Sequence, residues 1–272
     1  HVSHTVALVR HDRANVEAQA QAVERAVAEH GGTLLDELHA IDADVVLVLG
    51  GDGTLLRAAE IVRGHRIPVI GVNFGHVGFL AEAEPSDDIA TIAQRLVDGD
   101  YSVEARMAIE VTVTEPDGTV QTGWALNECA ILKLDRARMI DVTLSVDGHG
   151  VSSFGCDTLV LATPTGSTAY AFSGGGPIVW PDTDALLAVP VAAHALFARP
   201  MVVGPNSTIS AELADGAELS LDGRRTIIAP AGSVVTVSRS EEPVLLARLY
   251  DTPFSARLVA KFNLPVEGWR RR

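Results

Sequence analysis

Lysine and cysteine are scarce in this sequence. Only two of its 21 basic residues are lysines, Lys133 and Lys261, and neither follows a glycine-rich turn. A P-loop needs Gly-Lys-Ser/Thr and a protein kinase needs a strand lysine before its acidic partner, so both phosphate-handling templates are excluded. The two cysteines, Cys129 and Cys156, show no metal-ligand spacing. So few thiols indicate a reducing compartment without a disulfide framework, and hence a cytoplasmic protein.

Basic charge is also in short supply. The 272 residues carry 35 acidic and 21 basic side chains, which gives a formal net charge of −14 at pH 7. Nucleic acid and anionic membrane surfaces are captured by basic faces, so neither is an expected partner. The longest stretch without charge, 158–181, is rich in Gly, Thr, Ser and Pro. It therefore does not form a membrane span, which needs about 20 predominantly apolar residues. Any anionic ligand must be held by local chemistry.

The hydrophobic pattern changes once along the chain. Up to residue 102, strand-like apolar runs such as Val45–Leu49 alternate with amphipathic helix patterns, which predicts a doubly wound α/β domain over 1–102. From Val103 onwards, alternating stretches are separated by Asp-Gly turns. This pattern predicts a mostly antiparallel, β-sandwich-like domain over 103–251. The tail 252–272 contains a predicted helix at Phe254–Phe262.

The first candidate site is the sequence Gly50-Gly51-Asp52-Gly53-Thr54, between the strand Val45–Leu49 and a predicted helix. Ligands of open α/β sheets bind outside the carboxyl ends of the strands. Gly50 and Gly51 let the backbone approach phosphate oxygens, and the helix beginning near Thr54 offers unpaired N–H groups. Because Asp52 cannot attract phosphate, it is predicted to act as a general base or to hold a metal ion that escorts phosphates. Helix capping in a tight turn is the alternative interpretation.

The second candidate site is the long uncharged segment Thr163–Pro177. It places four hydroxyls around Gly166 and then adds Tyr170. Hydroxyls and backbone N–H groups bind phosphate or ribose, and a tyrosine ring can lie against a base. An ordinary Ser/Thr/Gly loop is the alternative, although so long a polar segment beside a buried strand is hard to explain by folding alone.

Weaker signals lie at four other places. The pair Asn127-Glu128 can bind an adenine edge and a ribose hydroxyl, or can simply end a strand in solvent. Arg57 follows Asp52 by about one helical turn, where a guanidinium either reaches phosphate or faces solvent. Asp157 is equally well explained as a turn residue, and Asp222-Gly223-Arg224 is a turn by composition.

Taken together, these segments resemble the NAD kinase family. The resemblance is closest to bacterial, actinobacterial-type members and extends from about Val45 to Trp269. The matching segments occur in the family's order: Gly50–Thr54, Asn127-Glu128, Thr163–Pro177, 194–200 and 221–224.

The resemblance implies transfer of the terminal phosphate of ATP to the 2′-hydroxyl of the adenosine ribose of NAD, giving NADP. Some relatives accept inorganic polyphosphate as the donor. Asp52 would take the hydroxyl proton, with Gly53 beside it and Arg57 lining the same site. Asn127 and Glu128 would hold the adenosine part, and Asp157 the nicotinamide end. The rest of the dinucleotide would be bound by Thr168, Ala169, Tyr170, Ala171, Phe172 and Ser173.

The same resemblance implies a cofactor and an assembly. Mg²⁺, or another divalent cation, would enter with ATP, and the chain itself would supply no resident metal site. The β-rich domain would join subunits into homodimers or homotetramers. The C-terminal tail would return to the first domain.

Two other functions remain open from sequence. A lipid kinase of the diacylglycerol and sphingosine kinase type shares the Gly-Gly-Asp-Gly-Thr stretch. Such an enzyme acts at an anionic membrane surface, and the net charge of −14 disfavours binding to that surface. A lipid kinase also does not account for the second candidate site, Thr163–Pro177. A non-catalytic dinucleotide sensor would keep the pocket without depending on Asp52. Replacement of Asp52 therefore separates a kinase from a sensor.

Overall fold

The computed structural model describes residues 3–12, 16–73, 78–82 and 88–268. The chain forms two compact units, one made of His1–Ala105 with Val244–Arg272 and the other of Arg106–Pro243. Trp269, the predicted end of the family resemblance, lies outside the described residues. Within the described ranges, no helix has the length and apolar character that a membrane crossing requires.

The first unit contains six strands and four helices among its described residues. The strands are β1 (Thr5–Arg10), β2 (Thr33–Leu35), β3 (Val45–Leu49), β4 (Val69–Val72), β5 (Ser102–Arg106) and, from the end of the chain, β18 (Val244–Arg248). The helices are α1 (Glu17–Glu29), α2 (Asp52–Ile61), α3 (Ile89–Val97) and α5 (Phe254–Phe262), with a short 3₁₀ helix at Glu37–Asp42.

A six-stranded sheet forms the centre of the first unit, in the order β2-β1-β3-β4-β18-β5. The pairs β1–β2, β1–β3, β3–β4 and β4–β18 are parallel. Leu47 and Leu49 belong to the core cluster that includes the buried faces of α1 and α3. On the opposite face, Leu55 of α2 packs closely against Gly71 of β4. Helices on both faces bury all five residues of β3, and the predicted doubly wound fold is confirmed.

Strand β18 corrects the predicted boundary of the second domain. The alternation of residues 244–249 predicts a strand of the antiparallel domain ending at 251. In the structure, Leu246 of β18 pairs with Val69 of the parallel sheet, and Ala247 and Leu249 join the core of the first unit. Alternation predicts a strand but carries no information about which sheet the strand joins.

The second unit contains twelve described strands. They are β6 (Ile109–Thr114), β7 (Val120–Ala125), β8 (Glu128–Lys133), β9 (Ile140–Val146), β10 (His149–Cys156), β11 (Thr158–Ala162), β12 (Leu186–Val191), β13 (Met201–Val203), β14 (Ile209–Leu213), β15 (Ala217–Leu221), β16 (Arg225–Ala229) and β17 (Val234–Arg239). A 3₁₀ helix at Thr165–Thr168 and the short helix α4 (Tyr170–Ser173) follow β11.

These strands form two antiparallel sheets, in the orders β10-β9-β14-β17-β6-β7 and β13-β12-β11-β8-β15-β16. One core cluster contains Val111 and Leu144 from the first sheet and Ile131 and Leu159 from the second, so the predicted sandwich is confirmed. Strand β11 is buried along its whole length because its outer face is also covered. Ala171 of α4 packs there against Val160 and Ala162.

Candidate active site

The turn around Asp52 lies at the carboxyl end of β3. Helix α2 begins at Asp52 itself, two residues before the predicted start near Thr54. A Cβ atom at Gly50 would stand 2.6 Å from Oγ1 of Thr54, so only glycine leaves room for the buried Thr54 side chain. Gly53 is exposed. The turn therefore leaves its backbone accessible at Gly53, while the Thr54 side chain packs against the turn from inside.

Three consecutive backbone N–H groups bind the Asp52 carboxylate. Phe79 donates to Oδ2 at 3.0 Å, and Leu80 and Ala81 donate to Oδ1 at 3.2 and 3.1 Å. A Cβ atom at Gly78 would stand 2.4 Å from Oδ1, so glycine is needed for this approach. The carboxylate is held by a distant segment, so capping of its own helix does not describe its role.

The segment Gly78–Glu82, which binds Asp52, is not predicted by any motif of the sequence. The segment comes after β4, the neighbour of β3 in the sheet. The available signal was a glycine-containing stretch shortly after a buried strand, since the carboxyl ends of adjacent parallel strands meet at one edge of the sheet. No periodic pattern marks it.

Arg57 makes its contacts within the first unit. Its Nη1 bonds to the Glu37 carboxylate, and its Nη2 donates to the backbone oxygen of Arg10 at 2.7 Å. The guanidinium is half-buried between these partners. These two bonds use two of the five N–H donors of the guanidinium, and the predicted substrate contact stays a prediction.

The turn at Asn127-Glu128 is organised by Asp222. The Asp222 carboxylate accepts from the backbone N–H groups of Leu126 at 2.8 Å, Asn127 at 2.6 Å and Glu128 at 3.2 Å. Nη2 of Arg225 donates to Asp222 Oδ2 at 2.9 Å. Asp222, which composition describes as a turn residue, therefore binds backbone amides in the second unit in the same way as Asp52 does in the first. Each binds three consecutive amides of a distant segment.

Glu128 is a buried acid with an unusual protonation state. The residue is 8% exposed, and the Tyr170 backbone N–H lies near its carboxyl group. Among the described residues, Oε2 has no hydrogen-bond partner. Burial, followed by the negative charge of Asp222, raises the pKa of Glu128 to about 8. At neutral pH this group is therefore mostly neutral and can donate a hydrogen bond.

Replacing Glu128 by Gln should remove a pH dependence of stability. In the unfolded chain the Glu128 carboxyl has a pKa of 4.5, and in the native protein about 8, so the native state binds the proton more tightly. This contribution to the free energy of unfolding is complete below pH 4.5 and is lost as pH rises towards 8. We expect Glu128→Gln to match the unsubstituted protein near pH 5 and to exceed it at pH 9 by on the order of a few kcal/mol.

Urea unfolding at pH 5, 7 and 9 measures this difference. The matched control is Glu110→Gln, at an exposed position of β6. If Glu128→Gln shows no greater stability than the unsubstituted protein at pH 9, Glu128 is not buried in the way described.

The hydroxyl-rich segment uses most of its hydroxyls to fold. Thr163 Oγ1 donates to the Leu126 backbone oxygen, and Ser167 Oγ donates to the Pro164 oxygen at 2.7 Å. Thr165 Oγ1 accepts from Nη1 of Arg106 at 3.1 Å. All three residues are buried. Thr163 and Ser167 thus donate to backbone oxygens and Thr165 accepts from an arginine, which are contacts of an ordinary loop, and the binding of phosphate or ribose by these hydroxyls stays a prediction.

The later part of the segment is more accessible. Thr168, Ala169 and Tyr170 are partly exposed, and Phe172 and Ser173 are exposed. Ala171 is fully buried, so its side chain lies in the core and not at a ligand surface. Gly166 fits against the Asn127 backbone, where a Cβ atom would stand 1.9 Å from the Asn127 oxygen. The structure thus joins the Asn127-Glu128 turn to the Thr163–Ser173 segment.

Asp157 lies at the opposite end of β11 from Thr163. Asp157 precedes the five residues of β11 and Thr163 follows them, so an extended chain places their backbones about 20 Å apart. Its carboxylate pairs with Nζ of Lys133 at 2.8 Å. Tyr170 Oη donates to Oγ1 of Thr158, the residue after Asp157, at 3.3 Å, so the later part of the segment approaches the Asp157 turn, and the predicted nicotinamide contact stays a prediction.

The fold is found in solved kinase structures. The crystal structure of an NAD kinase from Archaeoglobus fulgidus in complex with ATP matches with a TM-score of 0.79 and 28% identity, covering 96% of this chain and 100% of that chain. Yeast NADH kinase complexed with NADH matches with a TM-score of 0.85 and 19% identity, covering 98% of this chain and 90% of that chain. The fold is therefore that of the NAD and NADH kinases.

Sequence similarity to family models and to individual proteins identifies the family of this chain. The ATP-NAD kinase N-terminal domain matches residues 6–101, and the ATP-NAD kinase C-terminal domain matches residues 126–249. The NAD kinase of Thermobifida fusca (strain YX) is 55% identical over 242 residues, which cover 86% of this chain and 73% of that protein. The NAD kinase of Corynebacterium glutamicum is 50% identical over 254 residues, 90% of this chain and 87% of that protein. The chain belongs to the NAD kinase family and is an enzyme of that family, which confirms the resemblance seen in its motifs.

Proposed function

We propose that the protein transfers the terminal phosphoryl group of ATP to the 2′-hydroxyl of the adenosine ribose of NAD, forming NADP and ADP. The observation that carries this proposal is the orientation of Asp52. Its carboxylate lies at the carboxyl end of β3, held by three amides beside a glycine turn. Membership of the NAD kinase family supports the choice of substrate.

Asp52 is the general base in this proposal. It accepts the proton of the 2′-hydroxyl while that oxygen forms a bond to the terminal phosphorus of ATP. The bond from this phosphorus to the bridging oxygen breaks, and ADP leaves with the electron pair. The exposed backbone at Gly53 and the N-terminus of α2 stabilise the phosphate charge. The amides of Phe79, Leu80 and Ala81 keep the base in one orientation.

Mg²⁺ fits this scheme as an ion carried by the triphosphate. Among the described residues, no three His, Cys, Asp or Glu side chains are grouped to hold a metal. Magnesium is commonly bound through substrate phosphates and one or two carboxylates, and in this proposal it enters with ATP. When bound, the ion neutralises charge on the phosphates.

Asn127 and Glu128 supply the adenosine contacts in this proposal. Asn127 offers an amide to the adenine edge, and neutral Glu128 donates a hydrogen bond to ribose. Its buried Oε2, without a partner among the described residues, supports this role. Tyr170 and the exposed Phe172 provide ring surfaces for the rest of the dinucleotide.

The cellular form of the enzyme is also part of the proposal. Cys129 and Cys156 are free and buried, which supports a reducing, cytoplasmic location. Exposed apolar side chains of the second unit, including Leu196, Phe197 and Val202, support assembly into a homodimer or homotetramer.

A coupled assay tests the proposed function. Purified protein is incubated with NAD and Mg-ATP, and NADP is measured with a dehydrogenase that requires it. We expect NADP to accumulate well above the level reached by Asp52→Asn. A second arm replaces ATP with inorganic polyphosphate and determines the donor, and a third offers diacylglycerol vesicles. Phosphorylated lipid without NADP would favour the lipid kinase.

A further inference from the structure

Three buried charged residues meet beside the segment that binds Asp52. Glu82 is 2% exposed, and Arg248 of β18 and Arg257 of α5 are each 8% exposed. Glu82 Oε1 lies 3.2 Å from Nη1 of Arg248 and 3.3 Å from Nη2 of Arg257. Nε of Arg248 also pairs with Glu104 at 3.0 Å. Glu82 and Glu104 are thus joined in one ion network to arginines of β18 and α5, more than 140 positions later in the chain.

Both arginines also bind the backbone of the segment Gly78–Glu82. Nη1 of Arg248 donates to the Leu80 oxygen at 2.8 Å, and Nη1 of Arg257 donates to the Ala81 oxygen at 2.9 Å. The N–H groups of the same two peptides are also bound. The Ala81 N–H donates to Asp52, and the Glu82 N–H donates to the Gly71 oxygen at 2.6 Å. The arginines therefore hold the carbonyl side of peptides whose N–H side binds Asp52 or the sheet.

One peptide group separates Arg248 from the Asp52 carboxylate. The Leu80 carbonyl and the Ala81 N–H belong to the same peptide, so a cation on the oxygen polarises the bond that donates to Asp52. Arg257 donates to the carbonyl group of the next peptide, between Ala81 and Glu82, whose N–H group donates to the Gly71 oxygen of β4. Phe254 and Phe262 of α5 lie 5.7 and 5.8 Å from the Phe79 ring and fix the same segment from its side-chain face.

Stability alone does not account for this network. Burying ion pairs costs desolvation, and apolar residues of similar volume often serve stability as well or better. What apolar residues cannot supply is directed donation to two adjacent carbonyl groups. Arg has a rigid fork of donors suited to this task, whereas Lys carries a compact charge on a flexible stem.

We propose that Arg248 and Arg257 are positioning residues for phosphoryl transfer, which lock the amides of residues 79–81 and thereby orient the Asp52 carboxylate. This inference rests on the proposed role of Asp52 as the base. It makes the C-terminal helix α5 part of the catalytic apparatus of the first unit, although α5 contributes no catalytic residue. Arg248 acts through one peptide, and Arg257 acts by fixing the end of the segment.

The test uses Arg248→Lys and Arg257→Lys, each alone and combined with Asp52→Asn. The matched control is Arg95→Lys, because Arg95 donates to the Leu249 backbone oxygen at 3.1 Å and pairs with Asp100. We expect either Lys variant to lower kcat by roughly 10- to 100-fold with KM for NAD within about twofold, since misplacing a catalytic group by about 1 Å has effects of this size. Arg95→Lys should leave kcat unchanged.

The double variants decide whether the arginines act through Asp52. In the Asp52→Asn background, Arg248→Lys should change the residual kcat by less than about twofold, because the oriented base is already gone. Effects that multiply would overturn the proposal, as would an unchanged kcat in both single variants. If Arg248→Lys does not fold, Arg257→Lys carries the same comparison.

Hydrogen exchange keeps the inference separate from the proposed function. The amides of Phe79, Leu80 and Ala81 should exchange about tenfold faster or more in folded Arg248→Lys and Arg257→Lys than in Arg95→Lys. If the unsubstituted protein makes no NADP, the proposed function fails and exchange still reports on the segment. If NADP is made but exchange and kcat are unchanged, only the positioning role fails.

Discussion

Asp52→Asn is expected to lower kcat by on the order of 10²-fold or more and to leave NAD binding largely intact. The amide is nearly the same size as the carboxylate but cannot take the proton of the 2′-hydroxyl. The three amides that bind Asp52 face two acceptor oxygens in the native protein, and Asn retains only one. One amide is left without its acceptor, which should cost about 1–2 kcal/mol of stability.

Steady-state production of NADP and a binding titration with NAD measure the two halves of this prediction. Asp88→Asn is the control, because Asp88 caps α3 in the same unit and Asn serves equally well at that position. We expect the control to keep the kcat of the unsubstituted protein. If Asp52→Asn also keeps it, the general-base role is wrong and the non-catalytic sensor is favoured.

Gly166→Ala is expected to lower the free energy of unfolding by about 3 kcal/mol or more and to weaken NAD binding. The new Cβ atom would stand 1.9 Å from the Asn127 oxygen and 2.4 Å from its carbonyl carbon. The Asn127 backbone cannot easily yield, since Asp222 and the Thr163 N–H both bind it. Any relief of the clash therefore displaces the turn that carries Asn127 and Glu128.

Gly204→Ala in the same unit is the matched control. Gly204 is exposed, and a Cβ atom there meets no described atom within 4 Å. Its free energy of unfolding should stay within about 0.5 kcal/mol of the unsubstituted protein. Urea unfolding and KM for NAD measure both variants. A Gly166→Ala protein with normal stability and normal KM would show that the two segments are not in close contact.

Much of the fold was predictable because it depends on local patterns. Val45–Leu49 is an unbroken apolar run, and such runs form strands buried between two layers of helices. Alternation and Asp-Gly turns likewise indicated the antiparallel sandwich. Residues 244–249 mark the limit, because a strand pattern is the same whether the strand joins a parallel or an antiparallel sheet.

The candidate site divides in the same way. Asp52 was found because its glycine turn follows a buried strand, and placement at a strand end is visible along the chain. The role of Asp222 was not visible, because an Asp-Gly turn has the same composition whether its carboxylate faces solvent or binds three distant amides. The composition of the hydroxyl-rich segment is compatible with a ligand site and with an ordinary loop, and the structure shows that the Ser167 hydroxyl bonds to the backbone of its own loop.

By itself, the sequence determined the two fold classes, the position of the Asp52 turn at a strand end and the family. These depend on periodicity and on residue types at short spacing, which the chain displays directly. Only the tertiary structure decided that the segment Gly78–Glu82 binds Asp52 and that Arg248 and Arg257 bind the carbonyl groups of this segment. It also decided that β18 joins the parallel sheet of the first unit. Those contacts join residues far apart in the chain, up to 176 positions in the case of Arg257 and Ala81. Their geometry follows from how the strands and helices pack, which no local pattern records.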